Sequence, residues 1–145
     1  MTLDNLVGLS LEKIEMDEAA VRRLLDAAAL SLRDAQLDGL SPEGRFDLAY
    51  KAIMQTANAA LQANGYRTLT SKPGHHQTMV QSLARTIGLE YPNVILLDKL
   101  RKQRNDIDYT GEVVSKELSQ TCLREASTLY TRVCDHIAER KNAVR

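Results

Sequence analysis

Tryptophan is absent from this chain of 145 residues, and phenylalanine occurs once. The lone Phe46 therefore reads as an anchor of the core and not as a stacking platform. Cysteine occurs twice, at Cys122 and Cys134, both within one predicted helix. Twelve positions of helix rise about 18 Å, too far for a bridge, so the two read as buried thiols of a reducing cytoplasm. Charge of one sign is missing too. Lys plus Arg and Asp plus Glu number 19 each, which leaves a formal net charge of zero. That removes any whole-molecule electrostatic case for nucleic-acid binding and leaves only a local patch to serve. No apolar run approaches the ~18–20 residues of a membrane span. The opening stretch has no basic region ahead of its apolar residues, so it does not read as a signal peptide, and a cytoplasmic protein without membrane contact is expected. The three histidines and two cysteines have no zinc-ligand spacing, and there is neither a Gly-rich phosphate loop nor a nucleophile elbow. No metal or cofactor is expected.

What is present is ordinary globular composition, 43% hydrophobic and 26% charged, in a length that suits one domain over residues 1–145. A short helix is predicted around Leu3 to Gly8, followed by an extended link. Asp17 then caps a long helix whose Val21, Leu24, Leu25, Ala28, Leu32 and Ala35 repeat with the helical period, up to Gly39. Ser41-Pro42-Glu43 starts a second helix, with Phe46, Ala49, Tyr50, Ile53, Ala57, Ala60 and Leu61 inward and Asn64-Gly65 as its stop. Tyr66 to Gly74 is the longest irregular stretch. It is basic through Arg67 and Lys72. His75 and His76 open a third helix with Met79, Val80, Leu83 and Ile87 inward. Beside a helix N-terminus, where anions are favoured, the pair reads as solvated capping residues, as an anion contact or, least of the three, as a metal site. Ser115 caps a last helix from Lys116 to about Arg140. No alternating β-branched run bounded by turns occurs, so no strand is predicted. The expected fold is all-α, an up-and-down antiparallel bundle of about five helices.

The stretch with most chemistry is the fourth helix, predicted from an Asn93 cap to Tyr109. Leu96, Leu97, Leu100 and Ile107 fall within about a 100° arc. Arg104 lies inside that arc, where an arginine must meet a carboxylate, line a cleft or snorkel out along its stem. The adjoining strip holds Asp108, Arg101, Asn105 and Tyr109. Lys99 and Lys102 add charge nearby.

Three stretches together resemble the HEPN superfamily, the helical domains named for higher-eukaryote and prokaryote nucleotide binding. RFDLAYKAIMQTANAALQANGYR is similar to the family's Ala- and aromatic-rich helix with its Gly-containing turn. KPGHHQTMVQSL is similar to the Gly-His region that opens the next helix. Arg104-Asn105-Asp106-Ile107-Asp108-Tyr109 resembles the family signature of an arginine, a polar residue, and a histidine four to six positions beyond the arginine. Here Tyr109 occupies the histidine place. The resemblance implies metal-independent RNA cleavage or RNA binding at a dimer cleft. It also implies a toxin–antitoxin-like module, partnered by an antitoxin or a nucleotidyltransferase. On it, Arg104 and Tyr109 are the candidate catalytic pair, and Arg101, Lys102, Asn105, Asp108, His75 and His76 the candidate binding residues for RNA or a nucleotide.

RNA cleavage through the 2′-hydroxyl needs a base, an acid and stabilisation of the charged phosphorane. The planar fork of Arg104 suits the last of these. A tyrosine titrates near pH ~10 and is a poor base at neutral pH unless a cation lowers that value. Arg101 or Arg104 would act in that sense, and Asp108 against it. Three readings of the strip stay open. Arg104 pairs with a carboxylate while Tyr109 packs at an edge; or the strip lines a phosphate- or RNA-binding cleft; or it is a nuclease site. The first corresponds to a non-catalytic dimerisation or partner-binding module.

Overall fold

The computed structural model describes residues 2–71 and 73–144, with side chains as far as Lys141. Lys72, part of the basic stretch noted in the sequence, lies outside the described residues. A short 3-10 helix, Leu3–Leu6, leads into strand β1, Leu11–Lys13. Helices α1, Glu18–Ala35, and α2, Pro42–Ala63, follow, then strand β2, Tyr66–Thr68. Three helices complete the chain: α3, His75–Thr86; α4, Tyr91–Thr110; and α5, Lys116–Val144. The fold is the expected five-helix bundle, with a two-stranded ribbon added at one side.

Three of the helix starts were written in single residues. The Asp17 carboxylate accepts from the Ala19 and Ala20 amides, the Ser41 hydroxyl from Gly44 N–H, and the Ser115 hydroxyl from Leu118 N–H. Each meets an amide that has no partner inside its own helix. The fourth start differs from the expectation. Asn93 is not the cap of α4: the helix begins at Tyr91, with Glu90 as N-cap and Pro92 in the first turn. Glu90 makes no side-chain cap bond, so the start is fixed by the backbone and by the proline, and Asn93 instead donates to the Glu90 carboxylate at 3.0 Å.

The centre of the bundle is α2. It packs against α1, α5 and α3, and is apolar nearly all round, with Ala49, Ala52, Ala57, Ala59 and Ala60 letting its neighbours close in. Phe46 is completely buried, as its anchor role requires, and the Cys122 thiol of α5 lies 4.0 Å from its carbonyl oxygen. The expected inward stripes of α1 and α3 are buried or packed against the core, as are Leu118, Cys122, Leu129, Val133 and Ile137 of α5. On α4 the buried residues are Val94, Leu97 and Leu100, with Ile107 packed at the edge and Leu96 half-buried.

The ribbon corrects the expectation that no strand forms. Leu11 pairs with Thr68, Glu12 with Arg67 and Lys13 with Tyr66, antiparallel. Three residues per strand are too few for an alternating pattern to show in the sequence. Yet the alternation is there, since Tyr66 and Thr68 are buried and Arg67 is exposed, paired across the ribbon with Glu12. Leu11, Leu61 and Tyr66 form a small second core, closed by Leu3 and Leu6. Gly65 makes the turn into β2 with φ of 87°, where its carbonyl accepts from Ile14 N–H at 2.9 Å. A side chain there would be strained by the backbone and would meet the Ile14 carbonyl oxygen at 3.5 Å.

Both cysteines are free, Cys122 buried and Cys134 half-buried. Burial pushes the Cys122 thiol up to about 12, and burial also raises Cys134. A thiol held protonated reacts slowly. Thiol titration of the native protein is therefore expected to find Cys122 silent, and titration after unfolding without reductant to find both free. A non-reducing gel dominated by a cross-linked dimer would contradict this.

Candidate functional site

The sequence-predicted residues of α3 and α4 meet across one cavity of about 290 Å³, lined by Tyr50, Gly74, His75, His76, Gln77, Arg101, Arg104, Asn105 and Asp108. Three elements build it. From α4 come Arg104, Asp108, Arg101 and Asn105, which share one side of the helix. From α3 comes the first turn. Gly74 is its N-cap at φ of 81°, a conformation that costs glycine little, and no side chain caps the amides beyond it. From α2 come Tyr50 in the floor and Asp47 on Arg104.

Arg104 is the residue on which the elements converge. Its Nη1 donates to Asp47 Oδ1 at 2.8 Å, and its guanidinium carbon sits 5.5 Å from the centre of the Tyr50 ring. The side chain is 28% exposed against 48% for Asp47, so the pair lies at the cavity mouth and not in the core. Asp108 Oδ2 approaches Arg104 Nε at 3.6 Å, too long for a hydrogen bond. Among the described residues that buried Nε has no hydrogen-bond partner, and neither has the buried Nδ1 of His75. Two unpaired polar atoms thus occur in the lining of one cavity. Arg101 is held by Asp98, Nε to Oδ1 at 2.8 Å, with both side chains mostly buried. Burial raises Asp98, but the bonds and charges of Arg101 and Lys102 outweigh it and hold the carboxyl below its usual range.

Behind the arginines stands a tyrosine–histidine pair. The Tyr50 hydroxyl lies 3.1 Å from His76 Nδ1, and the ring of His75 meets that of His76 edge-on at 4.8 Å between centroids. Burial pushes Tyr50 up to about 12, against the pull of Arg101 and Arg104, so the phenol keeps its proton. Burial, followed by the charges of His75, Arg101 and Arg104, lowers His76. The imidazole is therefore neutral at pH 7. In the tautomer in which Tyr50 donates to Nδ1, the imidazole proton sits on Nε2 and can be donated to a ligand.

Two expected site residues lie elsewhere. Tyr109 is 85% exposed and does not line the cavity. Five positions beyond Arg104 is about 140° round the helix axis, which carries the ring past the mouth. Lys102 also turns away. It pairs with Asp98 at 3.4 Å and faces a second groove lined by Leu3, Leu6, Tyr91, Ile95 and Lys99 among others. Arg67 is spent on Glu12 in the ribbon. Asp47 and Tyr50 went unread as site residues. Tyr50 is periodic with the α2 core, and Asp47 is a surface carboxylate 57 positions from its partner.

Among the described residues no helix is long and apolar enough to cross a membrane, and no three His, Cys, Asp or Glu side chains group so as to hold a metal ion. No protein-family model, curated protein or solved structure matches this chain.

Proposed function

We propose that this chain is a cytoplasmic HEPN-type protein of a toxin–antitoxin-like two-component module, binding RNA through a phosphate held at the Arg104 cavity. One observation carries the reading. Two arginines of α4, two histidines of α3 and the uncapped first turn of α3 line a single cavity, where Arg104 Nε and His75 Nδ1 are without partners. Guanidinium groups and helix N-termini both favour phosphate oxygens. A neutral net charge makes the contact local. With Lys102 and Arg67 pointing elsewhere, about two phosphates are in reach, and the log–log salt slope on single-stranded RNA should be about −1.5. Fluorescence polarisation of a labelled oligoribonucleotide over a salt series measures this. A slope several times steeper would place the binding surface outside the cavity, and no binding at low salt would remove the proposal.

Metal-independent cleavage extends the same reading. His76, oriented by Tyr50, is the proton-transfer group next to Arg104, in the role that the resemblance assigned to the motif position now held by Tyr109. RNA integrity in cells expressing the wild type or Arg104→Ala tests it. Unchanged RNA in both leaves binding without cleavage.

Homodimer formation through α4 belongs to the proposal as well. Tyr91 and Ile95, one helical turn apart, are 73% and 51% exposed, an apolar pair that a second copy, or a nucleotidyltransferase or antitoxin partner, would cover. Light scattering should report a dimer at micromolar concentration. A monomer there would end this part of the proposal.

A further inference from the structure

A second cavity lies at the end of the bundle where α1 begins and where α2 and α5 run out. It measures about 400 Å³ and shares no lining residue with the cavity around Arg104. Its walls are aliphatic. Val21 and Leu25 of α1 are buried, Ala63 of α2 and Ile137 of α5 are half-buried, and Met16 forms an exposed lip. No aromatic ring lines it. The flexible thioether at the lip can follow the shape of what enters.

The rim is charged, and unevenly so. Arg22, Arg140 and Lys141 stand there against one carboxylate, Glu18, in a chain whose net charge is zero. No carboxylate holds any of the three closely. Arg140 Nη1 donates to neutral acceptors, the Ala63 carbonyl at 3.3 Å and Asn64 Oδ1 at 2.6 Å. Arg22 Nε lies 3.8 Å from Asp26 Oδ1, beyond hydrogen-bond distance and with both side chains mostly in solvent. Lys141 Nζ lies 3.5 Å from Glu18 Oε1, each side chain half or more in solvent. Exposed pairs of this kind hold their charges weakly.

We propose that this cavity binds a single-chain fatty carboxylate of medium length, with its tail on Val21, Leu25, Ala63 and Ile137 and its head between Arg22, Arg140 and Lys141. The proposal does not rest on RNA binding at Arg104. Each part of the ligand is selected by the chemistry of the wall it meets. Aliphatic walls give an aromatic ring nothing to stack on and favour an alkyl chain, whose removal from water drives the binding. Three cations against one carboxylate favour a negative head, and a guanidinium fork suits a carboxylate. Glu18 in the rim tolerates one negative charge better than the nearly double charge of a phosphate monoester. Size sets the length. A water takes about 30 Å³ of liquid, so the cavity holds about a dozen non-hydrogen atoms, the size of decanoate.

The test titrates hexanoate, octanoate, decanoate and dodecanoate, below their micelle concentrations at pH 7, into methyl-labelled protein observed by NMR. Methyl signals of Met16, Val21, Leu25 and Ile137 should shift. Affinity should rise by about fourfold for each added CH₂ and level off near decanoate, where the cavity is full. Decanol should bind about tenfold more weakly than decanoate, and decyl phosphate no better than decanoate. Ala63→Leu, which fills the cavity from its wall, should abolish binding. Arg22→Gln and Lys141→Gln, on exposed side chains, should each weaken it about threefold, and these two keep the test decisive where Ala63→Leu unfolds. Arg140 is left unchanged because it also caps the end of α2. Absence of saturable decanoate binding overturns the proposal, as does an affinity that ignores chain length. Equal binding of decanol, tenfold tighter binding of decyl phosphate, or no effect of either charge variant overturns the carboxylate head. Shifts centred on Leu3, Leu6 and Val94 would put the ligand in the other groove and overturn the site. None of these outcomes bears on RNA binding at Arg104, which the salt series tests separately.

Discussion

Arg104→Ala is expected to weaken binding of a short single-stranded RNA by more than about tenfold, while lowering the melting temperature by only a few degrees. The two halves of this prediction come from the same geometry. The guanidinium makes its direct bond to Asp47 at the cavity mouth, where that carboxylate is half in solvent. A pair placed so contributes about 1 kcal/mol or less, and Asp47 left alone is rehydrated at little cost. Loss of the contact with the Tyr50 ring adds a further ~0.5–1 kcal/mol. A fully buried pair would behave otherwise, with ~3–5 kcal/mol lost on removing one member. The comparison variant is Tyr109→Phe, which should change neither affinity nor melting temperature, because the ring is exposed and turned from the cavity. Loss of RNA affinity in Tyr109→Phe would restore the tyrosine to the site and displace His76 from the role given to it here. A large drop in melting temperature for Arg104→Ala, with no RNA affinity in the wild type, would leave only the partner-binding module.

The largest loss of stability is expected at Phe46. Its side chain has no exposed surface, and α2 meets α5 at this point, with Cys122 against its backbone. Phe46→Ala removes most of a ring and leaves a cavity that the surrounding alanines are too small to fill. The cost should be roughly 3–5 kcal/mol. In a chain of this size that lowers the melting temperature by on the order of 10 °C. Calorimetry of the two proteins decides it. A fall of a degree or two would mean that the helices close over the gap and that the core does not depend on its one phenylalanine.

These two residues also show what the sequence made legible. Phe46, the caps at Asp17, Ser41 and Ser115, and the apolar stripes are local signals, each complete within a few residues, and the bundle follows from them. Asn93 misled because an asparagine after a proline resembles a cap, while the actual start at Glu90 has no side-chain bond to announce it. The ribbon was missed because its strands are three residues long and paired across more than fifty positions. The cavity was half legible. The residues on α3 and those on α4 could be picked out singly by their chemistry, but nothing in the sequence says that the two helices face each other there. Asp47 and Tyr50 carried no signal, since one resembles any surface carboxylate and the other any core residue. The placing of Tyr109 was a matter of angle, and an arginine–tyrosine spacing along the chain does not report which side of a mouth each residue falls on.

The three-residue ribbon has a mechanical meaning for the cavity. Its ladder continues one bond further, from Leu69 N–H to the Ser10 carbonyl at 3.0 Å, up to the loop that delivers His75 and His76. The Tyr66 hydroxyl is bonded to Asp4, and Leu3 and Leu6 close over the same ring. The N-terminal segment is thus a clasp on the approach to α3. The clasp is anchored on the bundle itself, since Leu61 of α2 lies in the same small core and Leu3 and Leu6 share a groove with Tyr91 and Ile95 of α4. The histidine and arginine sides of the cavity are therefore held on one frame, with the ribbon as a brace between the N-terminal segment and α2.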